Sequence, residues 1–424
     1  MFVSLTGFVG SMSQLHPKSS LGSSKPSLGS GEFIALMAFL MSLVALSIDA
    51  VMPALPVMGQ ELSVSNANDT QLIIGIIFLG LATGQIFFGP LSDSVGRKPV
   101  IYLGLIIFIV GSVISALAND FSVMLIGRLL QGVGASGPRT ISVALVRDQY
   151  EGRAMARIMS FIMAVFIIVP TIAPALGLSI LIFFDWQAIF YSFFLLASIV
   201  LIWFAARQPE TLTEKNRISL SLSHFWAGLK SILSNKQALS YTIAAGIIFG
   251  AFIGYLTSAQ QIFQDIYAIT ELFPLYFAIL ALSIGAASLT NANLVMKFGM
   301  RKLSKIALVT MTILAILFVI PATLTGGRPP LWAFMGFMML SFFCVGILFG
   351  NFNTLAMEPL GKLAGMGASV VGSLTTFICM AIGVTIGQNY DTTIMPLVYS
   401  FAVLGLTSLG IMLWVEKQPE AQLT

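Results

Sequence analysis

Charge is what this chain has least of. Asp, Glu, Lys and Arg together make up 9% of its 424 residues, against about 25% in an ordinary soluble domain. So little charge cannot cover a globular surface, and most side chains must therefore face lipid or one another. Histidine occurs only at His16 and His224, outside the apolar runs, and cysteine only at Cys344 and Cys379, inside them. Two cysteines in apolar sequence exclude a disulfide framework or a cysteine zinc site and read as small core residues. The phosphate-cradling G-x-x-x-x-G-K-[ST], the zinc-binding H-E-x-x-H and the nucleophile turn G-x-S-x-G are also absent. That argues against P-loop ATP hydrolysis and against a hydrolase, so the chain is not read as an enzyme. The net charge of +4 is no nucleic-acid signature; its meaning lies in where the basic residues fall.

Apolar sequence takes the place of charge: 57% of residues are hydrophobic and the mean hydropathy is +0.95. A bilayer core needs about 20 mostly apolar residues per helix. Runs of that length, parted by polar or Gly/Pro breaks, predict helices near 33–57, 71–90, 99–118, 121–145, 157–183, 187–207, 238–262, 271–297, 304–324, 331–353, 364–388 and 393–416. This is an all-α membrane protein with twelve transmembrane helices in two six-helix halves. The remaining sequence divides it into a Ser/Gly/Pro/Lys-rich flexible tail (1–31), a first bundle (32–207), a linker (208–237), a second bundle (238–416) and a short tail (417–424). The opening residues have no basic flank and no small-residue cleavage site, and are not read as a cleaved signal. In the linker, Phe225, Trp226, Leu229, Ile232 and Leu233 share one helical face beside Lys230 and Lys236. That pattern suits a helix lying on the membrane surface, with a disordered linker as the alternative.

Basic residues gather in cytoplasmic loops. With the first tail inside, all but three of the 21 Lys and Arg fall on that side. Arg328 falls outside, and Arg128 and Arg139 lie within a span. Both termini are then cytoplasmic.

One stretch breaks the apolar rhythm: GPLSDSVGRKPV, Gly89 to Val100, crowds Asp93, Arg97 and Lys98 into six positions between spans two and three. Gly89 and Gly96 allow close approach and a sharp turn. Asp93, at the end of an apolar helix, can accept from backbone N–H groups or face a helix N-terminus. Arg97 offers a fork that a carboxylate can grip. The stretch is echoed in the second half: VGRKPV resembles FGMRKLS, and EGRAMARIMS resembles LGKLAGMGAS at nearly the same offset. Such echoes suggest duplication of a six-helix unit, a plan found in one class of transporters.

GPLSDSVGRKP resembles the major facilitator superfamily signature G-x-L-S/A-D-x-x-G-R-K/R-x, with Gly89, Leu91, Ser92, Asp93, Gly96, Arg97 and Lys98 at its fixed positions. Span four has Arg128, Gln131 and Gly132, resembling the superfamily's R-x-x-Q-G. SIDAVMPALP in span one and AMEPLGKLAGMGAS before span eleven resemble the bicyclomycin and chloramphenicol resistance (Bcr/CflA) drug:proton antiporters. The resemblance runs from about Phe33 to Trp414. It implies the major facilitator fold, export of amphipathic drugs in exchange for protons, and a monomer in a bacterial inner membrane. The partners it implies are a small-molecule substrate, protons and the lipid bilayer, with no nucleic acid and no cofactor beyond the proton gradient. It also implies a cytoplasmic gate in which Asp93 faces the start of span eleven and Arg97 grips Asp148. VPTIAPALGLSI is close to the antiporter signature around G-P-x-x-G-G of span five. Pro170, Pro174 and Gly177 are its kink candidates, but Ala173 and Leu178 replace two of its glycines. A proton-coupled transporter of a small metabolite, such as an amino acid or organic acid, is the alternative.

Charges at bilayer depth are costly and are functional candidates by default. Asp49 in span one and Arg128 in span four both lie roughly 10–12 Å below the outer surface by helical rise. They are candidates for coupling protons to substrate. The alternatives are a static pair, or an Arg128 that bonds backbone carbonyls of span one. Arg139 either serves the cavity or snorkels inward. Tyr255, Gln260, Gln261, Asn351 and Asn353, in spans seven and ten, are cavity candidates, with ordinary helix–helix hydrogen bonding as the alternative for each.

Overall fold

Lipid gives backbone groups no water to bond, so each span must satisfy its own N–H and C=O groups as a helix. The structure, a computed structural model, describes residues 28–217 and 222–418. No strand occurs among these residues. The first half consists of α1 (Ser30–Asp49), a short continuation α2 (Leu55–Glu61), α3 (Leu72–Val95), α4 (Arg97–Ala116), α5 (Phe121–Gln149), α6 (Gly152–Phe183) and α7 (Gln187–Arg207). The linker contributes α8 (Leu222–Ser234). The second half has α9 (Lys236–Leu256), α10 (Phe273–Phe298), α11 (Met300–Leu324), α12 (Leu331–Met357), α13 (Ala364–Gln388) and α14 (Met395–Glu416). The tail expected over 1–31 lies outside the described residues up to residue 27, as does 419–424.

Among the described residues, eleven helices are long and apolar enough to cross a membrane. The remaining long helix, α5, has 29 residues but carries Arg128, Arg139, Arg147 and Asp148 among many Gly and Ser, which lowers its hydropathy. It packs against α1, α3 and α4 of the first half. A Cβ on Gly132 would stand 3.0 Å from Gly80 Cα of α3, so α3 and α5 touch backbone to backbone.

Two expected helices end early. The α-helix expected over 33–57 stops at Asp49, because Pro53 has no N–H for the Asp49 carbonyl and the chain loosens before α2 resumes. The helix expected over 238–262 stops at Leu256, and after a short turn Ile262–Ile266 coils as a π-helix. The other ten helices agree with the expected spans within five residues at each end. α6 runs on through Pro170 and Pro174 without interruption. The halves meet along two seams, α3 against α13 and α6 against α10.

Candidate functional site

At the basic end of the bundle, Gly96 and Gly299 each form a one-residue link between consecutive helices, with φ +113° and +75°. Only glycine adopts this region without strain, so the sequence echo is also a conformational one. The α4 start leaves N–H groups unbonded, and Glu210 from the linker takes two of them, Arg97 N–H at 3.0 Å and Lys98 N–H at 2.9 Å. Sequence reasoning missed Glu210; the orphan donors of a helix opening on Gly-Arg-Lys were the signal that an acceptor was needed. Arg97 is 5% exposed and donates from Nε to Asp148 Oδ2 at 3.0 Å. One terminal nitrogen bonds Ser92 Oγ at 2.9 Å and Asp93 Oδ1. Thr211 also donates to Asp148 at 2.9 Å, and Lys98 Nζ bonds the Ala205 carbonyl at 3.0 Å.

Asp93 and Gly89 sit on the α3–α13 seam. A Cβ on Gly365, in the first turn of α13, would lie 3.5 Å from Asp93 Oδ2, and one on Gly89 would overlap the Ser369 hydroxyl. In the second half Arg301 meets Glu358 at 3.4 Å, as Arg97 meets Asp148 in the first.

The opposite end of the same seam has its own bonds across the halves. The Asn68 amide donates to the carbonyls of Gln388 and Tyr390 at 3.0 and 2.9 Å and accepts from Gln261 at 2.9 Å. Gln388 donates to the Asn68 carbonyl at 2.9 Å, and Gln71 donates to Gln260 at 3.4 Å. Gln260 and Gln261 therefore belong to this mouth rather than to the depth of the bundle. Beside them burial pushes the Asp265 carboxyl above the usual carboxylate range, opposed by a bond from the Tyr390 hydroxyl. Asn68, Gln71 and Gln388 were not singled out from sequence, since polar residues at a span's edge usually just meet water.

Arg128 is fully buried and donates three bonds: to Ser47 O at 2.7 Å, Ile73 O at 2.9 Å and Gln131 Oε1 at 2.9 Å. The α1 break leaves the Ser47 carbonyl short of a helical partner, and Arg128 fills that place. Asp49 is 4% exposed, and among the described residues no side chain bonds it or pairs with it. The geometry therefore matches the carbonyl-bonding alternative for Arg128, not an Asp49–Arg128 ion pair. Asp49 is instead electrostatically coupled to Tyr255 of the other half. The Tyr255 hydroxyl is buried with no partner among the described residues, and its ring is packed against Phe277 and Phe342. A Cβ on Gly177 would overlap the Ala50 carbonyl oxygen and stand 2.8 Å from its carbon, so α6 presses directly on the α1 break. Asn351 exchanges bonds with Asn291 at 3.0 and 3.1 Å, and Asn353 bonds its own helix at Phe349 O. Arg139 lies on α5, coupled to Cys379 of α13.

The family model for the Major Facilitator Superfamily matches residues 37–384. The chain belongs to that superfamily. It is 28% identical to the uncharacterized MFS-type transporter YdgK of Bacillus subtilis, with 87% of this chain and 93% of the relative covered. It is also 28% identical to a bicyclomycin resistance protein homolog of Haemophilus influenzae (87% and 92% covered) and to the multidrug resistance protein MdtL of Salmonella paratyphi A (80% and 84%). Among solved structures, the human organic anion transporter MFSD10 (TETRAN) shares the fold, with TM-score 0.66 at 17% identity over 92% of this chain and 99% of that one. This major facilitator protein is thus a multi-pass membrane transporter of small molecules and not an enzyme. Among its described residues no group of three His, Cys, Asp or Glu stands ready for a metal ion. Where α8 covers the α3–α13 seam, a cavity of about 340 Å³ is lined by apolar residues including Ile86, Leu229, Leu233 and Phe377, with Thr83 and Ser373 beside them.

Proposed function

We propose that the chain exports amphipathic drugs across a bacterial inner membrane, as a monomer, in exchange for protons and by alternating access. On this reading the basic end faces the cytoplasm, as the distribution of Lys and Arg favours, and α8 lies along the membrane surface. Asp93, Arg97, Asp148 and the Gly89–Ser369 contact close the cytoplasmic mouth, and Asn68, Gln71, Gln260 and Gln261 latch the outer one. Rocking of the halves breaks one set of contacts while the other holds.

The observation that carries the reading is Asp49: a buried carboxyl at a helix break that, among the described residues, is bonded to no cation, within electrostatic reach of a tyrosine of the other half whose hydroxyl has no partner among those residues. It can gain or lose a proton without breaking an ion pair, and a proton there changes the charge felt by Tyr255 of the other half. Arg128 then acts as a positioning residue, holding the α1 break that carries Asp49. The drug direction is supported by the relatives' names and the Bcr/CflA-like segments, while Ala173 and Leu178 leave the span-five signature incomplete.

Inverted vesicles test this. Adding a transported drug to acid-loaded vesicles should release protons with wild-type protein and not with Asp49→Asn. Resistance of an efflux-deficient host should fall in parallel. Full resistance with Asp49→Asn would end the coupling role, and no drug-linked proton release across a compound panel would favour the metabolite alternative.

A further inference from the structure

Among the described Asp and Glu residues, Asp49 alone lies in the interior of a span, yet α5 brings two guanidinium groups there. Arg128 and Arg139 are eleven residues apart, three turns and about 16 Å, so they project from the same face of α5. Their surroundings differ. Arg128 has two carbonyls and an amide within 3 Å. Arg139 is only partly buried, and among the described residues no side chain or backbone group bonds it or pairs with it.

Side chains of a helix lean toward its N-terminus, which for Arg139 means toward the middle of the bilayer and away from the basic end. Its coupling to Cys379 agrees with this, since Cys379 lies 15 residues into α13, roughly 22 Å from the basic end. Inward snorkelling would carry the guanidinium the other way. A second donor lies nearby in level: Ser42 is seven residues before Asp49 on the same face of α1, 5% exposed, with a hydroxyl that has no partner among the described residues. An unpaired guanidinium at this depth is costly unless something anionic joins it, and its planar fork suits a carboxylate, sulfonate or phosphate group. Asp49 does not supply that charge, because it lies at the level of Arg128.

We propose that Arg139 is the anion subsite of the transport cavity, so that the substrates of this chain are small organic anions or zwitterions whose acidic group docks on α5 opposite Cys379. This rests on the reading of the chain as a transporter whose halves enclose a cavity, and it narrows the substrate class within that reading.

Cys379 gives a readout independent of transport. In full-length Cys344→Ala protein reconstituted in liposomes, its reaction with two methanethiosulfonates is measured, one ending in a sulfonate and one in trimethylammonium. Each rate is normalised to that of a free thiol. The sulfonate reagent should be favoured about tenfold, the size of a charge interaction at several ångströms in a partly wet site. The preference should vanish in Arg139→Gln and survive in Arg139→Lys. Benzenesulfonate should protect Cys379 in the parent protein, and benzyltrimethylammonium should not. Equal reactivity, a preference for the cationic reagent, or no reaction of Cys379 with either overturns the proposal. Proton-linked drug export without any anion preference sinks this proposal alone. Anion preference without proton-linked export sinks the coupling reading and leaves the subsite standing.

Discussion

Replacing Gly89 by valine should pry the halves apart at the basic end. A Cβ at this position would overlap the Ser369 hydroxyl and stand 3.1 Å from Ser369 Cβ, inside the ~3.5–4.0 Å of an ordinary carbon contact. Alanine asks only that the hydroxyl turn aside. Valine adds two methyl groups about 1.5 Å further out, and α3 and α13 must then separate. Overpacking of this kind costs about 1–3 kcal/mol. At 1.4 kcal/mol per factor of ten, the form closed at the basic end should lose roughly 5- to 150-fold relative to the open one. Pulsed electron resonance between spin labels at Ser94 and Gly361, with Cys344 and Cys379 replaced by alanine, reads the separation directly. Gly89→Val should shift the distances to longer values, Gly89→Ala should barely move them, and adding Ser369→Gly to Gly89→Val should restore them. An unchanged distribution in folded Gly89→Val protein, or no recovery with Ser369→Gly, would refute the idea that this contact holds the mouth closed.

Four further outcomes are expected. Arg97→Lys keeps the charge but not the fork that reaches Ser92, Asp93 and Asp148 together, so thermal unfolding in detergent should show a loss of about 1–2 kcal/mol. Arg97→Gln combined with Asp148→Asn should cost less than the sum of the two single changes. Gly177→Val should destabilise by about 1–3 kcal/mol and abolish proton-linked transport with it, because the side chain drives α6 off the Ala50 carbonyl; a well-folded, active variant would contradict the close packing. Asn68→Ala removes four bonds across the outer mouth if the loop shifts, and three with the backbone held. Labelling of Tyr255→Cys protein by an impermeant thiol reagent from the outside should therefore accelerate.

Much of the architecture was legible because lipid imposes a simple code. Long apolar runs must be helices, and for ten of the twelve expected helices both ends followed from where those runs meet polar or Gly/Pro residues. The two ends that did not, after Asp49 and after Leu256, lie where tertiary contacts replace helical bonds: Arg128 takes the Ser47 carbonyl, and the π-turn packs Phe263 among Phe273, Tyr276 and Phe334.

The motif residues were equally readable, since Gly96, Arg97 and Asp93 form a local pattern. Their partners were readable only in part: Asp148 and the start of span eleven followed from the family resemblance, whereas Glu210 and Ser369 did not, because they come from distant parts of the chain and belong to no local pattern. From sequence Asp49 and Arg128 share only a depth; the folded chain turns Arg128 to backbone carbonyls and leaves Asp49 without an ion-pair partner among the described residues. Composition and run length by themselves determined that this protein spans a bilayer as helices, because a lipid-facing backbone has no other way to satisfy its polar groups. Which charges end up paired and which stand alone was decided only by tertiary packing, because a guanidinium takes whichever acceptors the neighbouring helices bring within bonding distance.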